Sequence, residues 1–190
     1  MPPKNTRESL LAAARAEFAA HGLAGARIDR IASEAGCNKE RIYANFGNKD
    51  RLYELVLAEA IEEIGAATLP LPGEDAGAYV GKCFDFHREH PHLLRILLWE
   101  ALQTPPGGEV HDAARRGEFY EGRRALLSRV LGTPPGVDPG RMMLVLIGLA
   151  AWPHAVPTLA GLVTGGESAT ESGQRELREF VTEAARRVAG

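Results

Sequence analysis

Cysteine is nearly missing from this 190-residue chain; only Cys37 and Cys83 occur. They stand far apart and match neither a disulfide framework nor the paired spacing of a zinc or redox site, so two reduced thiols are expected. The opening Met-Pro-Pro-Lys-Asn-Thr has no apolar stretch, so no secretory signal is expected. No segment alternates apolar and polar residues for long, which argues against a sheet. No internal repeat or low-complexity tract is present. A glycine-rich phosphate loop, a zinc-binding helix motif and a credible nucleophile–base pair are all lacking, so neither an enzyme nor a cofactor is expected. Residues 142–163 approach the length of a membrane span, about 20 residues, but Pro153, His154 and Pro157 interrupt them, and no membrane partner is expected. His87, His90 and His92 cluster, yet Pro91 separates the last two and no cysteine or carboxylate pattern supports them; no metal site is expected.

What the chain does have is an ordinary globular composition, 45% hydrophobic and 25% charged, with length enough for a core that needs no staple. Its net charge of −3 hides an asymmetry. Residues 1–53 hold nine bases and six acids, a net of +3, which leaves thirteen bases and nineteen acids for the remainder, a net of −6. A mildly basic head on an acidic body suits a nucleic-acid-binding module joined to something else.

Helical spacing runs throughout. Asn5 and Glu8 have capping-box spacing for a first helix, whose apolar positions are Leu10, Leu11, Ala14 and Phe18, with Gly22 as its stop. A second helix is expected over about 27–35, ended by Gly36. Asn38 is placed to cap a third helix through Phe46, and Asn48 a fourth, with Leu52, Leu55, Val56 and Ile64 as its stripe. Breakers at Pro70–Gly73, Pro105–Gly108 and Pro134–Gly140 separate further helices near 76–89, 91–102 and 110–131. An apolar helix over 141–163 and an amphipathic one over 171–188 complete about nine.

The informative stretch runs from Ile28 to Lys49, IDRIASEAGCNKERIYANFGNK. Two short helices packed around a tight turn need a small residue in the first, here Ala32, and a residue that tolerates positive φ in the turn, here Gly36. Ile31, Ala35, Cys37 and Ile42 are the expected shared core. With Ile42 and Phe46 pointing in, Lys39, Glu40 and Tyr43 point out, flanked by Arg41 and Asn45.

From Arg27 to Leu52 the chain resembles the signature of TetR-family transcriptional regulators. The matched features are Ile31-Ala32, Ala35-Gly36, Lys39, Ile42-Tyr43, Phe46 and the run Asn48-Lys49-Asp50-Arg51-Leu52. The clear match spans about the first quarter of the chain. It implies an all-α protein with a three-helix helix-turn-helix head, residues 1–52, on a ligand-binding and dimerisation bundle, residues 53–190. It implies a bacterial, cytoplasmic homodimer that binds a double-stranded, palindromic DNA operator and is released by a small molecule.

Carried onto this sequence, the resemblance makes Arg27, Asn38, Lys39, Glu40, Arg41, Tyr43, Asn45 and Lys49 the expected DNA-facing residues. The last two long segments, residues 141–163 and 171–189, become the expected dimer interface. Phe84, His87, Trp99, Phe119, Tyr120, Met143 and Trp152 are candidates for lining an effector pocket; their apolar surroundings favour an apolar or aromatic effector. Departures are visible. Ala26 and Arg27 stand where relatives often cap the second helix with Ser or Thr, Cys37 replaces a common Val, and Asn45 a common His. Glu40 and Arg41 replace smaller residues, which leaves the operator sequence open.

Overall fold

The computed structural model describes residues 6–190, with side chains from Arg7 onward; the expected cap Asn5 lies outside the described residues. Ten α-helices and no strand occur among them: α1 Thr6–Gly25, α2 Ile28–Glu34, α3 Lys39–Phe46, α4 Lys49–Ala67, α5 Ala76–Glu89, α6 Pro91–Gln103, α7 Ala113–Leu131, α8 Pro139–Ala155, α9 Pro157–Val163 and α10 Glu171–Ala189. A single 3-10 turn, Glu167–Ala169, precedes α10. The all-α expectation holds, with one correction to the count. The helix expected over 141–163 is two, α8 and α9, bent by 85°. Pro157 has no N–H to continue the ladder, and Val156 before it leaves the helical region at φ −126°, ψ 59°. Pro153 sits inside α8 without ending it. No single helix among the described residues is long and apolar enough to cross a membrane.

The chain divides into two compact units, residues 1–64 with 92–111, and residues 65–91 with 112–190. The functional boundary expected at residue 52 falls inside α4, which continues unbroken to Ala67.

The first unit is built on α1, α2, α3, most of α4, and α6. Leu10, Phe18, Ile31, Ile42, Leu52, Val56, Leu93 and Ile96 are fully buried in it, and each such side chain contributes roughly 1.5–3 kcal/mol. Phe18 meets Tyr53 edge to face, with ring centroids 5.1 Å apart. Arg15 ties α1 to α4 through Glu63 at 2.6 Å.

In the second unit, α5 and α10 make the tightest seam. A Cβ on Gly77 would lie 2.8 Å from the Thr182 carbonyl oxygen and 2.7 Å from the Arg186 guanidinium, and one on Gly81 2.9 Å from the Thr182 methyl. Glycine at both positions lets the two helix backbones approach closely. Ion pairs bracket the seam, Arg178 Nε to Asp85 at 2.8 Å and Arg186 Nε to Asp75 at 3.0 Å. Arg123 closes the end of α4 by donating to the Gly65 carbonyl at 2.6 Å and the Thr68 carbonyl at 2.9 Å, satisfying acceptors that a helix C-terminus leaves open.

Candidate nucleic-acid interface

The site is assembled from α1 outward. At Gly22 the backbone of α1 kinks (φ 62°, ψ −177°), where a side chain would be strained and would also strike Trp99 at 2.8 Å. The Ala19 carbonyl one turn earlier accepts from Arg95 Nε at 3.0 Å and Trp99 Nε1 at 3.1 Å, so α6 secures this end of α1.

Next comes the entry to α2. Arg27 occupies the N-cap position and its side chain makes no cap bond, as its chemistry requires. The carboxylate of Glu17, on α1, does the capping instead. It accepts from the Arg27 backbone N–H and from Arg30 Nε, both at 2.8 Å, and places a negative charge where the α2 dipole favours one. Burial alone would raise the Glu17 pKa, but the Arg30 hydrogen bond, the Arg27 N–H and the Arg30 charge outweigh it and hold the carboxyl below its ordinary value.

The turn is closed by a Schellman pair. Cys37 N–H donates to the Ala32 carbonyl at 3.0 Å, and Gly36 N–H to the Ser33 carbonyl at 3.2 Å, with Gly36 at φ 66°. Asn38 then caps α3, its side-chain oxygen accepting from Arg41 N–H at 3.1 Å. Ile42 and Phe46 are buried as expected. Ala35 and Cys37 are only half-buried, because the turn carries them toward the rim of the small core they were expected to fill.

The opposite face of α3 is open. Lys39, Glu40, Arg41, Tyr43 and Asn45 are all exposed, and Tyr43 presents 48% of its surface. Lys39 pairs with Asp29 of α2. That pair is exposed, so it is weak, and its partner is readily exchanged. Asn45 Nδ2 folds back to the Arg41 carbonyl at 2.7 Å. After Gly47 (φ 81°), the Asn48 side chain accepts from Arg51 N–H at 2.8 Å and starts α4. Lys49, in the first turn of α4, reaches back to the Ala26 carbonyl at 3.4 Å. Exposed Arg27 completes the set. Two residues were not singled out from sequence. Arg7 lies over the Phe46 ring, 5.8 Å from its centroid, adding a base beside the end of α3, and Arg30 adds another at α2. Both are legible only as members of the basic head.

The effector candidates are divided between the two units. Phe84 and His87 on α5, Phe119 and Tyr120 on α7, and Met143 and Trp152 on α8 belong to the second unit, whereas Trp99 belongs to the first. Phe84 and His87 are buried, Phe119, Met143 and Trp99 half-buried, and Tyr120 and Trp152 exposed. His154, which was not among the candidates, lies next to the Phe84 ring at 4.4 Å. His90 stacks on Phe86 at 4.6 Å, and His92 falls in the other unit. No group of three or more potential metal ligands occurs among the described residues. Burial pushes the Cys83 thiol up to about 11.

Comparison with known proteins adds a second line of evidence. Residues 10–56 match the family model "Bacterial regulatory proteins, tetR family", and residues 75–187 match "Tetracyclin repressor-like, C-terminal domain". The HTH-type transcriptional repressor SCO4008 of Streptomyces coelicolor is 35% identical over 98% of this chain and 96% of its own. The HTH-type transcriptional repressor AcnR of Corynebacterium glutamicum is 33% identical over 74% of this chain and 70% of its own. Among solved structures, the transcriptional regulator SCO4942 of Streptomyces coelicolor superposes with a TM-score of 0.77 at 29% identity, covering 96% of this chain and 97% of that one.

Proposed function

This chain belongs to the TetR family of bacterial regulatory proteins, and from that premise we propose how it acts. It is a cytoplasmic repressor that holds a palindromic operator as a homodimer and leaves it when a small apolar or aromatic molecule binds the second unit. The observation that carries the reading is the division of α3 into a buried face, Ile42 and Phe46, and an exposed polar face around Tyr43. In the major groove, Lys39 and Arg41 donate to guanine edges or phosphates, and Glu40 accepts from cytosine N4. Tyr43 and Asn45 bond phosphates; Asn45 does so by releasing the Arg41 carbonyl. Arg27, and Lys49 with the first turn of α4, clamp the backbone and fix the register. Asn38 supports these contacts by holding the start of α3.

Two recognition helices must reach half-sites about 34–36 Å apart, which one subunit cannot do. Support for a dimer comes from the apolar residues left exposed on α8, α9 and α10: Leu144, Trp152, Leu162, Val163 and Phe180. They fall within residues 141–163 and 171–189, and a second copy of this chain is the partner that covers them. Release by an effector requires only that its affinity differ between DNA-bound and free forms.

The test is a gel-shift titration with DNA flanking the gene. Tyr43→Ala and Lys49→Ala are each expected to weaken binding at least several-fold while the helical circular dichroism signal and melting temperature stay unchanged. Undiminished affinity in both variants overturns the assignment of this face.

A further inference from the structure

The bases of the first unit differ in what the fold already asks of them. Arg15 is paired with Glu63, Arg30 with Glu17 and Lys39 with Asp29, while Arg95 and Lys49 bond main-chain carbonyls. Arg7 lies over the Phe46 ring. Among the described residues of this unit, that leaves the guanidinium groups of Arg27, Arg41 and Arg51 without a hydrogen-bond or ion-pair partner; only their backbone N–H groups are bonded. Arg27 and Arg41 have a place in the proposed DNA contact. Arg51, exposed in the first turn of α4, has none.

An acid stands within its reach. Glu54 lies three residues on, at the spacing of a helical ion pair, yet its carboxylate is turned to His111 Nδ1 at 3.2 Å. Asp50 is adjacent in sequence and so faces another side of the helix. Four residues back stands Gly47, which offers no side chain, and its bare flank receives the Arg51 side chain. Arg51 Cδ and Nη1 each lie 3.6 Å from where a Cβ on Gly47 would stand.

That contact places the charge. The Gly47 N–H donates to the Tyr43 carbonyl at 2.8 Å, so Gly47 lies one turn, about 5.4 Å, beyond Tyr43 along α3. Residues four apart share a helix face. The Arg51 guanidinium therefore stands past the end of α3, in line with exposed Tyr43 on the open polar face. Recognition helices meet base edges with their N-terminal residues. A charge at the opposite end meets the sugar–phosphate backbone, and a planar guanidinium suits the paired oxygens of a phosphate.

We propose that Arg51 is a further phosphate-binding residue, which extends the DNA-contacting face beyond the C-terminal end of α3. This rests on the reading of α3 as the helix that enters the major groove. The contact fixes the far end of α3 against the backbone and carries no sequence preference.

The experiment measures binding of the full chain, over a series of salt concentrations, to the DNA flanking the gene and to an unrelated duplex of equal length. Arg51→Gln is expected to weaken both by a similar factor, roughly three- to tenfold at low salt, and to lower the logarithmic salt slope by about one unit. Arg51→Lys keeps the charge and is expected to recover most of the slope. Arg129→Gln, which removes an exposed arginine of the second unit, is the control and is expected to leave both quantities unchanged. All three variants are expected to keep the helical spectrum and melting temperature of the unaltered protein. A slope that Arg51→Gln leaves unaltered, a loss confined to the flanking DNA, or an equal loss in Arg129→Gln overturns the proposal. A flat salt response in the unaltered protein counts against the DNA reading of the whole face. A steep response that Arg51→Gln does not change counts against Arg51 alone.

Discussion

The two units of this protein solve opposite problems. The first must hold a short helix still while leaving most of its surface bare, and it does so with local devices: a Schellman turn at Gly36, caps from Asn38 and Asn48, and the Glu17 carboxylate at the head of α2. The second joins long helices through contacts far apart in sequence, such as Gly77 against Thr182 and Asp85 against Arg178, and leaves an apolar surface on α8, α9 and α10. Bare polar surface in one unit and bare apolar surface in the other suit different partners, and the proposed function gives the former a phosphate backbone with base edges and the latter a second copy of the chain.

The sharpest way to break that contrast is to charge the apolar surface. The double variant Leu162→Glu, Phe180→Glu is expected to be monomeric by light scattering at micromolar concentration and to lose operator binding almost completely, although every DNA-facing residue is intact. A dimer of unchanged mass would place the interface elsewhere.

A smaller effect separates the units by pH. His87 is neutral in the fold, with its pKa depressed from 6.5 to about 4, so the unfolded chain takes up the proton first. Its contribution is intact above pH 6.5 and is lost as pH falls toward 4, a loss on the order of 2–3 kcal/mol. Glu17 is depressed in the other unit; its contribution is present above 4.5 and disappears only below that, as pH falls through its folded value. Hydrogen exchange between pH 7 and 5 is expected to show the second unit loosening before the first. His87→Phe is expected to flatten most of that dependence; a slope unchanged by this substitution would mean the proton goes elsewhere.

Smaller still is the local cap. Glu17→Ala is expected to cost about 1–2 kcal/mol, read by chemical denaturation. It is also expected to weaken operator binding, because α2 and the turn that aims α3 lose their anchor. If stability fell while affinity did not, the aim of α3 would be set by the buried residues alone.

How much of this was legible in the sequence follows the same divide. Gly36, Asn38, Ile42 and Tyr43 act within a few residues of one another, so spacing alone gave the turn, the cap and the two faces of α3. The cap on α2 was not legible, because Glu17 lies ten residues before the N–H it accepts and an arginine occupies the usual position. Residues 141–163 read as one helix because their apolar character is continuous across Pro157, and only the backbone at Val156 reveals the 85° bend. Aromatic content marks residues for burial but not for neighbours: Trp99 belongs to the other unit from the remaining effector candidates, and the contact of His154 with Phe84 joins residues seventy positions apart.

The central claim is that α3 and the start of α4 hold DNA through charge and geometry on one exposed face. Its most direct test is operator affinity measured against salt concentration for the unaltered protein and for Lys49→Ala. Affinity is expected to fall steeply as salt rises, and the logarithmic slope to lose roughly one unit in the variant, as one phosphate contact disappears. A flat salt response in the unaltered protein, or an identical slope in both, would contradict the account.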